Sequence, residues 1–174
     1  MRWKSGCFAI LLALAPTMAR ADIKPHALCA DGLVLQQKAK VKVWGSAQPG
    51  EKVAIDFRGQ KAGAVADDKG NWVVTLDAGD AGGPFPMTLQ RNNKLEYKNV
   101  LVGEVWVCSG QSNMAWRVAQ CDKGDREFAK NAPANPMIRM FTIKQNIQTK
   151  PIESAEGSWV EAAPETVESF SSVG

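Results

Sequence analysis

The chain has 174 residues, enough for one domain of ordinary size or a small domain plus part of another. Apolar residues make up 45% and charged residues 22%, which argues against a disordered or collagen-like chain. The 21 Lys and Arg exceed the 18 Asp and Glu by three, and Arg2, Lys4 and Arg20 all fall in the acid-free first 21 residues. The remainder is neutral and offers no general footprint for nucleic acid. His26 is the single histidine, so a multi-histidine metal site is excluded. A Ser-His-Asp mechanism would have to use His26 or a histidine from outside this chain.

Residues 1–21 read as a secretory signal peptide. Arg2 and Lys4 are followed by the apolar run Phe8-Ala9-Ile10-Leu11-Leu12-Ala13-Leu14, then Pro16, then the small-x-small site Ala19-Arg20-Ala21. The apolar run is shorter than the roughly 20 residues a bilayer-spanning helix needs, which disfavours an uncleaved anchor. Cys7 comes too early to be a lipid-attachment cysteine. The expected product begins at Asp22 and is soluble, in a periplasm or outside the cell. Cys29, Cys108 and Cys121 remain after cleavage; an odd number cannot all pair, and one bridge or none is open. Their spacing matches no zinc pattern.

From residue 33 to 100 the pattern is that of strands. Lys40-Val41-Lys42-Val43-Trp44 alternates, as do Val53, Ile55 and Phe57, then Trp72, Val74 and Leu76, then Met87 and Leu89. Gln48-Pro49-Gly50-Glu51 suits a type II turn, and Asp67-Asp68-Lys69-Gly70-Asn71 suits a hairpin turn. Gly82-Gly83-Pro84 reads as a further break, and Asn92-Asn93 as another hairpin. An antiparallel β-sandwich over residues 22–100 follows. Trp44 and Trp72 are expected in its core, although exposed they could stack on sugar rings.

Residues 100–108 then form a nearly continuous apolar run, Val-Leu-Val-Gly-Glu-Val-Trp-Val-Cys, predicting a strand buried on both faces in a parallel sheet, with Trp106 in the core. Ser109-Gly110-Gln111-Ser112-Asn113-Met114 follows at once, where α/β proteins place reactive groups. Residues 122–130 predict a short helix with a solvated charged face, which takes in Asp122, Asp125 and Glu127. Residues 137–143 predict a strand, and residues 165–170 the start of another helix. Two readings of Ser112 are open from the residues themselves. Ser109, Ser112 and Asn113 suit a helix cap. Equally, Ser112 at a sharp turn after Gly110 suits a nucleophile with backbone donors for an oxyanion. Trp116 is a candidate pocket wall. There is no phosphate loop and no metal cluster, so no cofactor is expected.

Glu104-Val-Trp-Val-Cys-Ser-Gly-Gln-Ser-Asn-Met114 resembles the first block of the sialate O-acetylesterase family, a branch of the SGNH-type hydrolases. Further blocks continue the resemblance in order: Asp31-Gly32-Leu33-Val34-Leu35-Gln36-Gln37, Val43-Trp44-Gly45 with Pro49-Gly50-Glu51-Lys52-Val53, Asp68-Lys69-Gly70-Asn71-Trp72 and Ala81-Gly82-Gly83-Pro84-Phe85. Ile138-Arg139-Met140-Phe141, Gly157-Ser158-Trp159 and Phe170-Ser-Ser-Val-Gly174 complete it. It covers about residues 28 to 174.

The resemblance implies an α+β chain: the sandwich, then over residues 101–174 the start of a flavodoxin-like α/β (SGNH) hydrolase domain. It implies hydrolysis of an acetyl ester on a sugar, typically an O-acetylated sialic acid. Ser112 matches the nucleophile and its N–H would join the oxyanion hole. Gly110, Gln111 and Asn113 complete the loop, with Gln111 where the wider superfamily often has Asp. A later glycine, a later asparagine and a late Asp-x-x-His of such enzymes have no counterpart here, and His26 is expected to be a surface residue. The expectation is a front portion of a longer protein, inactive alone. The alternatives are a secreted carbohydrate-binding sandwich or a non-functional fragment.

Overall fold

Val53, Ile55 and Phe57 are buried while Lys52, Ala54 and Asp56 face solvent, so residues 52–57 lay one face of a strand on a core. Trp72, Val74 and Leu76 repeat the same alternation. The computed structural model describes residues 22–91 and 93–173. The predicted signal segment 1–21, with Arg2, Lys4, Cys7 and Arg20, lies outside the described residues, as do Asn92 and Gly174.

Among the described residues eight strands precede residue 104: β1 (Lys24–Pro25), β2 (Val34–Gln36), β3 (Lys40–Ser46), β4 (Lys52–Phe57), β5 (Gln60–Val65), β6 (Asn71–Asp77), β7 (Gly82–Gln90) and β8 (Lys94–Gly103). They form a three-stranded sheet in the order β1-β3-β6 and a five-stranded sheet in the order β2-β8-β7-β4-β5. Both sheets feed one apolar cluster, with Val43 and Trp72 from the first and Ile55, Phe57, Met87 and Leu89 from the second. The larger sheet is mixed, not purely antiparallel, because β2 pairs parallel with β8, Val34 opposite Leu101.

The turns follow their residues. Glu51 N–H donates to Gln48 O at 3.1 Å with Gly50 at φ 77°, the left-handed position a type II turn reserves for glycine. Gly70 (φ 82°) closes the Asp67 turn, where Asp67 Oδ1 accepts from the N–H groups of Lys69 and Asn71. That turn does not make a hairpin within one sheet: β5 belongs to the five-stranded sheet and β6 to the other, so it is a crossing between layers. Gly82-Gly83-Pro84 is no break either. It lies inside β7, with a cis Gly83–Pro84 bond and a register shift against β8. β7 and β8 pair antiparallel, Gln90 opposite Lys94, across the place where the sequence predicts a hairpin.

The predicted buried strand 100–108 is real only to Gly103. Val100, Leu101 and Val102 are all buried, between β7 and β2. The ladder then runs out of partners, since β2 stops at Gln36 opposite Gly103 and β7 starts at Gly82 opposite Val102. Residues 104–110 carry no strand. Trp106 is therefore not a core residue: it is 84% exposed, and Val107 is 90% exposed.

Beyond the turn bearing Ser112 come α1 (Lys123–Asn131), β9 (Asn135–Phe141) and β10 (Trp159–Ala162). Asp122 caps α1, its Oδ1 accepting from Asp125 N–H at 3.1 Å. The predicted strand near 137–143 is β9, but its neighbour β10 is antiparallel, Trp159 opposite Phe141. The helix predicted from 165 is a single 3-10 turn, Val167–Ser169.

Candidate active site

Gly110, Gln111, Ser112 and Asn113 are adjacent and all exposed. Ser112 opens a 3-10 turn, Ser112–Ala115, closed by Met114 N–H to Gln111 O and Trp116 N–H to Asn113 O, each at 3.0 Å. The capping reading assigned the cap to serine or asparagine. Instead Gln111 holds the N-cap position and no side chain caps it. The first turn bond uses Met114 N–H, so the N–H groups of Ser112 and Asn113 are those that a helical start leaves without an intrahelical acceptor. Given a general base, a hydroxyl beside such donors can attack a carbonyl and direct the developing oxyanion at backbone N–H groups.

The carboxyl-terminal residues 170–172 hold this turn, a contact that sequence reasoning missed. Val118 N–H donates to Phe170 O at 3.0 Å, Ser172 N–H donates to Trp116 O at 2.9 Å, and Ser171 Oγ–H donates to Met114 Sδ at 3.6 Å. Phe170 is buried and anchors the segment. Its one sequence signal was membership of the last motif block. Trp116 is half exposed beside the turn.

His26 is not a simple surface residue. Its ring stacks on Trp44 with centroids 4.9 Å apart. Nδ1 faces Leu28 N–H at 3.2 Å and Nε2 faces Ala155 N–H at 3.3 Å. These neighbours belong to the sheet body and to residue 155, not to the Ser112 turn. Asp122, Asp125 and Glu127 sit on the exposed surface of α1, as a solvated face requires. Cys29 is buried, Cys108 exposed and Cys121 intermediate, and all three thiols are free. Burial pushes the Cys29 thiol up to about 11. Among the described residues no group of His, Cys, Asp and Glu is placed to hold a metal ion.

The fold is similar to that of a solved carbohydrate acetylesterase from Xanthomonas citri, with a TM-score of 0.80 and 35% identity over 88% of this chain and 35% of that one. The sialate O-acetylesterase of Homo sapiens is 36% identical over 123 residues, 64% of this chain. That of Rattus norvegicus is 31% identical over 142 residues, 73% of this chain. No family model matches the chain. The class is that of carbohydrate-acetylesterase-like proteins. Within it, this chain belongs to the sialate O-acetylesterase-like family. It spans 23% of the length of the human relative and 26% of the rat one.

Proposed function

We propose that the chain is the nucleophile-bearing part of a secreted or periplasmic carbohydrate acetylesterase that acts on O-acetylated sugars of the sialic acid class. Residues 1–21 act as its signal peptide, residues 22–100 as a sandwich domain, and residues 101–174 as the start of an SGNH-type hydrolase domain. Ser112 Oγ attacks the acetyl carbonyl, the sugar hydroxyl leaves, and water releases acetate from the serine ester. The N–H of Ser112 belongs to the oxyanion hole, with Gly110, Gln111 and Asn113 shaping the loop.

The observation that carries the reading is an exposed Ser112 at the start of its turn, inside the Glu104–Met114 block shared in order with the other motif blocks. The general base is not His26, whose ring stacks on Trp44 and lies against Leu28 and Ala155 rather than against the Ser112 turn. It is a residue outside these 174, and the chain alone has negligible turnover. The binding-module reading is weaker, because Trp72 is buried in the core and His26 covers Trp44.

The test is acetate release from an O-acetylated sialic acid by the native secreted product and by residues 22–174. The native product hydrolyses the ester and Ser112→Ala abolishes it, while residues 22–174 alone do not. Enzymatic hydrolysis by residues 22–174 would show that their catalytic groups suffice, and full activity in Ser112→Ala would remove the serine from the mechanism.

A further inference from the structure

The backbone between β8 and Ser112 has few fixed points. Among the described residues, the next backbone–backbone hydrogen bond after Gly103 is the one closing the Ser112 turn, Met114 N–H to Gln111 O. At the start of that gap three side-chain bonds converge. Gln36 Nε2 donates to Glu104 Oε2 at 3.0 Å, Gln37 Nε2 donates to Glu104 Oε1 at 2.6 Å, and Val105 N–H donates to Gln36 Oε1 at 2.9 Å. Gln36 ends β2 and Gln37 follows it, its N–H donating to Gly103 O at 2.8 Å and extending the parallel ladder by one bond.

A strand end in water needs no such arrangement, because solvent satisfies exposed N–H and carboxylate groups equally well. Here both oxygens of one carboxylate are taken by two neighbouring carboxamides, and one of those carboxamides also takes the following N–H. This pins the position of Glu104 and the direction in which the chain leaves it. We infer that Gln36 and Gln37 are positioning residues, which clamp Glu104 and so aim the segment that delivers Ser112; the inference rests on the reading of Ser112 as nucleophile. The two donors also hold the Glu104 carboxyl below its usual range, Gln36 first, so the clamp is charged on its acceptor side at neutral pH.

Hydrogen exchange on the secreted chain tests the clamp directly. Gln36→Ala and Glu104→Ala raise exchange at the Val105 N–H about tenfold or more, while peptides from β4 and β6 keep their protection and the urea midpoint stays in place. Glu104→Gln keeps an acceptor oxygen and restores part of the protection. Unchanged exchange at Val105 in both alanine variants, or equal loss of protection through β2, β7 and β8, would overturn the clamp. In the native secreted product Gln36→Ala lowers kcat for acetyl-ester hydrolysis about tenfold with KM held, as misplacement of a nucleophile requires. Raised exchange with unaltered kcat would overturn the positioning role. If hydrolysis survives Ser112→Ala, the nucleophile reading fails instead, and the exchange result still judges the clamp.

Discussion

Arg139 on β9 grips Asn99 on β8 at two points: Nη1 donates to Asn99 O, and Nη2 donates to Asn99 Oδ1 at 2.6 Å. Nη1 also donates to Gly32 O at 2.8 Å. Asn99 Nδ2 completes the circuit by donating to Glu161 Oε1 at 2.8 Å, and that carboxylate lies 3.6 Å from Arg139 Nη2. The arginine side chain is 1% exposed, so the β9–β10 pair is fastened to the sheet body by a buried planar fork.

Arg139→Ala therefore leaves partly buried carbonyls on Gly32 and Asn99 without this donor. We expect a loss of about 3 kcal/mol in chemical unfolding. Arg139→Lys recovers less than half, because a point charge cannot span both acceptors. A loss below about 0.5 kcal/mol, the level of an ordinary surface substitution, would show that the fork is dispensable.

Gly45 and Gly103 provide a matched pair. A Cβ on Gly45 would run into Lys24 O, would come to 2.6 Å from Pro25 Cα and to 2.8 Å from Trp72 Cζ2, whereas a Cβ on Gly103 would meet nothing within 4 Å. Gly45→Ala should push β1 off β3 and cost about 2 kcal/mol, while Gly103→Ala stays within about 0.5 kcal/mol. Thermal unfolding of the two variants side by side decides it, and equal midpoints would refute the close approach of β1.

The alkaline limb of stability comes from Cys29 and Tyr97. Burial raises the Cys29 thiol from its ordinary 9.0 to about 11. Burial, with the neighbouring Cys29 and Asp31 charges, raises Tyr97 from 10.0 to about 12. Both values are raised in the fold, so above pH 9 the unfolded chain binds fewer protons than the folded one and stability falls as pH rises. Below pH 9 the Cys29 contribution is complete and flat. Urea midpoints between pH 8 and pH 11 should decline; a constant midpoint would contradict the burial of both groups.

Thiol labelling separates the cysteines. Cys108 is exposed four residues before Ser112, Cys121 is partly covered, and Cys29 is enclosed. At pH 8 an aromatic disulfide reagent should modify Cys108 fast, Cys121 more slowly and Cys29 only at the rate of unfolding. Rapid modification of three thiols in native buffer would rule out the buried site.

The strands before residue 100 were legible because a half-buried strand writes its environment into every second residue, as Val53, Ile55 and Phe57 do against Lys52 and Asp56. Gly50 and Gly70 were legible because left-handed backbone selects glycine. Ser112 was proposed as a nucleophile from the Gly110-Gln111-Ser112-Asn113 string and its companion blocks, and its exposure at the start of a 3-10 turn came from the structure.

Pairing was a different matter. The apolar character of residues 100–108 announces burial without saying against what, and only the ends of β2 and β7 determine that Val102 is covered while Trp106 is not. The same holds for Arg139, which lies in an ordinary strand pattern until Asn99 and Gly32, 40 and 107 residues away, supply its acceptors. Local periodicity follows from each residue's own contact with water and was set by the sequence alone. Which strands adjoin, and which polar groups meet across them, depends on distant parts of the chain and was decided by the tertiary structure.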